Sequence, residues 1–176
     1  NPEYNEIYLN PKVNFNAYDK FMVGMNFRNT SLFRRKFAYS FTPYYSTGTN
    51  QITGSAGTSY TFMPAESFFR FLQIGASASY YHYDFDLSYT RLSASANINF
   101  TKNPRSDINR SLSFGYSYFE KDLSPERILK NEYGKYNLWN LNYNYIDQRL
   151  IHESYIGGGL QWMEDFQKIS AEAFYR

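Results

Sequence analysis

The chain has 176 residues, a length suited to one domain with no obvious linker. Its 18 basic and 16 acidic residues leave a formal net charge of +2, too balanced to argue for a nucleic-acid partner. The absence of cysteine excludes a disulfide framework, a zinc ribbon and a thiol nucleophile. A mean hydropathy of −0.61 excludes membrane-spanning helices, which need about 20 consecutive apolar residues. It does not exclude a transmembrane barrel, in which every second residue faces a polar lumen. The unusual total is aromatic: 19 Tyr, 16 Phe and 2 Trp make up 21% of the chain, a bias that suits strands and membrane interfaces. The opening NPEYNE carries neither an initiator Met nor a signal-like segment, which reads as a processed chain or a piece of a longer one.

Period-two alternation between turn residues predicts strands along the whole length. The first three run over Val13–Ala17, Phe21–Asn29 and Lys36–Tyr45, and Pro43 weakens the third unless it sits at the strand's end or an edge. Gln51–Phe62 alternates Ile52, Ala56, Tyr60 and Phe62 with Thr53, Ser55, Ser59 and Thr61. FLQIGASASYYHYDF, Phe71–Phe85, alternates Leu72, Ile74, Ala76 and Ala78 with Gln73, Gly75, Ser77 and Ser79. Arg91–Thr101 and Ser111–Tyr118 repeat the pattern, and less regular strands follow over Tyr136–Tyr145, His152–Trp162 and Phe166–Tyr175. Turn residues fill the connections, and only EKDLSPERILKNEYGK, 120–135, is long and charged. Within it, Ser124 as cap and Pro125 in the first turn predict a short helix. The expectation is an all-β, antiparallel up-and-down barrel, or part of one, of about nine or ten strands, forming a single domain over residues 1–176.

The composition of the two parities decides the solvent. A soluble sheet turns a charged face to water, whereas the polar parity here is Ser, Thr, Asn, Gln and Gly, residues that suit a confined lumen. Ile52, Leu72, Ile74, Leu92, Ile98, Leu112 and Phe114 are therefore expected to face lipid, and Gln73, Ser77, Ser95, Asn97 and Ser113 the lumen. The longest strands reach the roughly 9 to 11 residues that a tilted span needs. Tyr60, Phe62 and Phe100 at one level and Tyr80, Tyr83, Tyr116 and Tyr118 at the other are expected to form two interfacial girdles. If the longer connections lie outside the cell, segment 120–135 and the turns near Thr47, Asp84 and Asp165 are extracellular, and those near Ser31, Pro64, Pro104 and Gln148 periplasmic.

Candidates for chemistry are thin. His82 and His152 sit in no metal-binding spacing and are expected as interfacial or lumen residues, and no GxSxG elbow accompanies the many serines. Gly157, Gly158 and Gly159 lack a following GK[ST], so they are read as permitting a bend, a bulge or the close approach of an aromatic ring. FRRKF, 33–37, reads as a solvated turn, and Asp84 and Asp86 as a polar loop top with too few oxygens for calcium. No catalytic, cofactor-binding or metal residue is assigned.

The first third carries a further likeness, in Asn14, Asn16, Tyr18-Asp19, Val23-Gly24-Met25, Asn29, Phe37, Tyr39, Pro43, Tyr45 and Gly54. Over residues 11–62 this resembles the start of an outer-membrane barrel found at the C-terminus of certain Bacteroidetes proteins. These include M1-type (gluzincin) metallopeptidases and surface-antigen barrels of the Omp85-like kind. The resemblance implies a membrane anchor or scaffold in the bacterial outer membrane, with lipid, lipopolysaccharide and other envelope proteins as partners. Any peptidase activity would belong to a domain outside these residues, since no HExxH is present. The alternatives are a channel or transporter barrel passing a small solute, and a soluble lipid-binding barrel.

Overall fold

A computed structural model describes residues 6–30, 35–101, 103, 105–149 and 151–176. It contains ten strands: β1 (Tyr8–Asn16), β2 (Lys20–Arg28), β3 (Phe37–Ser46), β4 (Ile52–Phe62), β5 (Phe71–Asp84), β6 (Leu87–Asn99), β7 (Ile108–Lys121), β8 (Lys135–Gln148), β9 (Glu153–Met163) and β10 (Phe166–Tyr175). One short helix, α1 (Pro125–Leu129), lies between β7 and β8. The strands form one antiparallel meander in the order β1 to β10, which leaves β1 and β10 as the outer strands of an open sheet. The chain divides into two compact units, Asn1–Ser59 with Ala76–Ser93 and Tyr118–Tyr136, and Tyr60–Gly75 with Ala94–Ser117 and Asn137–Arg176.

Local chemistry explains the elements. Residues 17–19, 47–51 and 85–86 turn the chain between strands, and Lys20, Asn50 and Asp86 take the left-handed conformation that tight hairpins require. Pro125 occupies the first turn of α1, where its missing N–H is no loss. Ser124 stands at the N-cap position but makes no side-chain capping bond; its carbonyl accepts from the Arg127 N–H at 3.0 Å.

Register carries the alternation across strands. Val13 pairs with Val23, Phe15 with Phe21 and Leu9 with Phe27, while Lys12, Asn14 and Asn16 share the other face. Trp139 pairs with Trp162 and Leu141 with Leu160, and between them Asn140 stands opposite Gln161. The glycine run is unbulged, with Gly157, Gly158 and Gly159 opposite Asn144, Tyr143 and Asn142.

One expectation is corrected. Pro43 lies inside β3, which is paired on both sides, not at an end or an edge. Glycines make this possible: a Cβ on Gly24 of β2 would collide with the Pro43 carbonyl, and one on Gly54 of β4 would meet the Thr42 carbonyl and stand 3.1 Å from Pro43 Cα. Gly54 also holds φ at +147°, which favours glycine, so the neighbouring strands absorb the proline locally. β5 adds a feature that its alternation does not announce. His82 shares the parity of Leu72, Ile74 and Ala76, yet it is buried. Ser77, of the opposite parity, stands 3.8 Å from where a Gly57 Cβ would be, on the face that buries Thr53 and Thr61. The alternation therefore slips by one residue between Ser77 and His82.

Several boundaries also move. β1, β6 and β7 begin earlier than the alternation suggests, and β7 and β8 extend further toward their connection. Ser31, Phe33, Arg34 and Pro104, in the predicted turns, lie outside the described residues. Connections after odd-numbered strands are short apart from 122–134, and those after β2, β4 and β6 span 29–36, 63–70 and 100–107. The orientation inferred from loop length thus rests on one long connection.

Candidate functional site

Burial is inverted relative to a water-soluble domain. Among the described residues Met22 is the one buried hydrophobic side chain, whereas Asp19, Asn29, Thr42, Ser46, Thr53, Thr61, His82, Asn99, Ser117 and Asp147 are buried and polar. Large apolar side chains stand on the surface: Val13 and Ile52 are each 70% exposed and Ile169 is 80% exposed. Of the residues expected to meet lipid, Ile52, Ile74, Leu92 and Phe114 are exposed, and Leu72, Ile98 and Leu112 are half-buried. Of those expected in the lumen, Ser77 and Ser95 are exposed, and Gln73, Asn97 and Ser113 are half-buried.

In the first unit the polar face closes on itself around the turn between β1 and β2. Asn16 Oδ1 accepts from the backbone N–H of Tyr18 at 2.8 Å and of Asp19 at 2.6 Å, while its Nδ2 donates to Asp19 Oδ2 at 2.9 Å. This side-chain mimic of a turn aims the Asp19 carboxylate inward. There Asp19 Oδ1 lies 2.8 Å from His82 Nδ1 and 3.0 Å from Thr49 Oγ1, and both Asp19 and the His82 ring are almost fully buried. An ionised carboxylate only accepts, so the ring proton sits on Nδ1. The Asp19 carbonyl accepts from Ser46 Oγ at 2.8 Å and from the Gly48 N–H at 2.9 Å, tying two hairpin turns together. Burial pushes the Asp19 carboxyl up, but hydrogen bonds involving Asn16, Ser46, Thr49 and His82 outweigh it and hold the group below its ordinary range.

A second clasp joins the hairpin of β5 and β6 to the long connection. Asp122 Oδ2 accepts from Ser88 N–H at 3.0 Å and Ser88 Oγ at 2.6 Å, and the Tyr83 hydroxyl donates to the Asp122 carbonyl. Asp84 accepts from the Phe85 N–H and Asp86 takes the left-handed turn position, so these two carboxylates serve the loop top. Lys121 Nζ lies 5.8 Å from the Tyr83 ring centroid, a cation–π contact.

In the second unit aromatic rings gather in two groups. Phe68 stacks on Phe100 at 6.2 Å and meets Phe69 edge-on at 5.2 Å, with Phe62 beside Phe69. Trp139 contacts Phe114, Tyr116 and Trp162 at 5.7, 4.4 and 6.1 Å between centroids. Of the girdle residues, Phe62, Phe100 and Tyr116 enter these groups. Tyr60, also of the second unit, is exposed, while in the first unit Tyr80 meets the His82 ring edge-on and Tyr118 donates to Glu120 at 3.2 Å. His152 stacks on Tyr175, whose hydroxyl is 3.2 Å from its Nδ1.

The inner side of β8, β9 and β10 holds a polar recess of about 180 Å³. Gly157 and Gly159 form its floor, with Tyr155, Asn142, Asn144, Ser170 and Glu172 around them. Gly157 is buried beneath the Tyr155 phenol, which donates to Asn144 Oδ1 at 2.9 Å, so the anticipated close approach of a ring to the glycine run is realised. Among the described residues no three His, Asp or Glu side chains assemble as a metal cluster.

Alternation alone does not identify Asp19, Asp122 or the groups around the recess. The one local signal is Asn16-Ala-Tyr-Asp19 between two strands, the pattern of a side-chain-stabilised turn. Comparison of the chain with models of protein families, with curated proteins and with solved structures yields no match.

Proposed function

We propose that this chain forms the wall, or most of the wall, of an outer-membrane β-barrel that anchors or scaffolds a larger envelope assembly. The carrying observation is the inverted burial: polar groups inside, aliphatic and aromatic side chains outside. Large exposed apolar surfaces are unfavourable in water and cost nothing against hydrocarbon. The antiparallel meander satisfies backbone groups strand by strand, and in hydrocarbon β1 and β10 each need a partner strand along their free edge. An anchoring role, as against solute passage, is supported by the first unit, where Asp19, Met22, Ser46 and His82 fill the inner side with the protein's own side chains. The resemblance in residues 11–62 points the same way.

A pair of substitutions tests the reading. Ile74→Arg, on the exposed apolar parity, should destabilise the protein in lipid vesicles by about 2–4 kcal/mol if it lies near mid-bilayer, with Ser77→Arg tolerated better. Equal effects in urea titrations, or a protein that stays soluble without detergent, would refute the membrane wall. Stable single-channel steps in planar bilayers would replace the anchor with a channel.

A further inference from the structure

We infer that the recess on the inner side of β8–β10 is a binding site for a small neutral polyhydroxyl ligand, of the size of one sugar unit. The inference is independent of the membrane reading, because it rests on groups within one compact unit. The glycines create the space. A Cβ on Gly159 would stand 2.7 Å from Asn142 Oδ1 and 2.8 Å from Ser170 Oγ, so only a residue without a side chain leaves room between those groups. The register Asn142–Gly159–Ser170 and Asn144–Gly157–Glu172 then sets polar side chains on either side of a bare backbone floor.

The functional groups select the ligand. The Tyr155 hydroxyl donates to the Asn144 side-chain oxygen, so the amide N–H groups of Asn144 are what this residue can offer a guest. The side chains of Asn142 and Glu172 make no hydrogen bond among the described residues, so an amide that both donates and accepts and a carboxylate that only accepts are available together. A metal cation would leave the amide donors unused, and an anion would meet the Glu172 charge. A hydroxyl both donates and accepts, so adjacent hydroxyls satisfy the set: one pair donates to Glu172 while their oxygens accept from the Asn142 and Asn144 amides.

The test is a titration of the isotopically labelled protein in detergent micelles with D-glucose and, separately, with inorganic phosphate, followed by amide NMR. Saturable shifts with glucose, confined to the Gly157–Gly159 backbone amides and the Asn142 and Asn144 side-chain amides, are expected, with no matching shifts with phosphate. Glu172→Gln, on an exposed strand where folding is not at risk, should weaken glucose binding about tenfold, the effect of losing a charged hydrogen-bond acceptor. Gly159→Ala should abolish it, with circular dichroism reporting that the strands remain. Absence of saturable shifts with glucose, equal response to phosphate, or unchanged affinity in Glu172→Gln would overturn the assignment.

Discussion

The two units use the same polar parity to opposite ends. Around Asp19 the inward groups bond to one another: a carboxylate, a histidine, two hydroxyls and an amide meet within the protein, with Asp19, Ser46 and His82 buried. Over β8–β10 the inward groups surround bare glycine backbone, and Asn142 and Glu172 keep their bonding capacity open. Polarity on the inner face therefore does not define a role. Whether the neighbours fill or vacate the space above it decides between a lock and a recess, since buried polar groups must be paired and solvent-accessible ones need not be.

The contrast is broken most strongly at its closed end. Asp19→Ala should lower stability by about 3–5 kcal/mol, because it strands a buried histidine and removes the acceptor shared by two turns. Chemical denaturation in detergent measures the loss, and an effect below that of Thr49→Ala would show that the cluster is not a lock. The same carboxylate sets a pH signature. Its folded pKa lies below the ordinary 3.8, so the unfolded chain takes up the proton first as pH falls. The stabilisation is complete above the unfolded pKa, shrinks as pH drops below it, and is lost once pH passes through the folded value. Asp19→Asn should flatten that acid limb of the stability curve.

Gly24→Ala comes next, at about 2 kcal/mol, since the new methyl group would run into the Pro43 carbonyl and force the β2–β3 ladder apart. Pro43→Ala in the same background should leave that cost unchanged, because the colliding atom is backbone. Amide hydrogen exchange across β2 and β3 reads both. The smallest effect belongs to Asp122→Ala, below about 1 kcal/mol because its bonds to Ser88 are exposed to solvent. Limited trypsinolysis at Arg127 and Lys130 should nevertheless accelerate, as the long connection keeps only its backbone bonds with Ser88 and Tyr83 to the β5–β6 hairpin.

Strand positions were readable because alternation is a local property: Ile52 to Phe62 and Ser111 to Tyr118 declare their two faces without reference to any neighbour. Pro43 weighs against a strand interior in the sequence because what accommodates it, a glycine on each adjoining strand, is not local. Gly24 and Gly54 lie 19 and 11 positions away in the chain, beyond any local pattern. The candidate recess was less legible still. Its triple glycine is visible, and a close ring was anticipated, but the ring is Tyr155 from the same strand while the free groups come from β8 and β10.

By itself, then, the sequence determined an antiparallel all-β chain with one apolar and one uncharged polar parity, because side chains in a strand alternate regardless of what surrounds them. Only the tertiary structure decided that the alternation slips within β5, turning His82 from the Leu72–Ile74 row toward Asp19. A one-residue slip reverses every later side chain at little local cost, and its benefit lies 63 positions away, in a buried carboxylate that needed a partner.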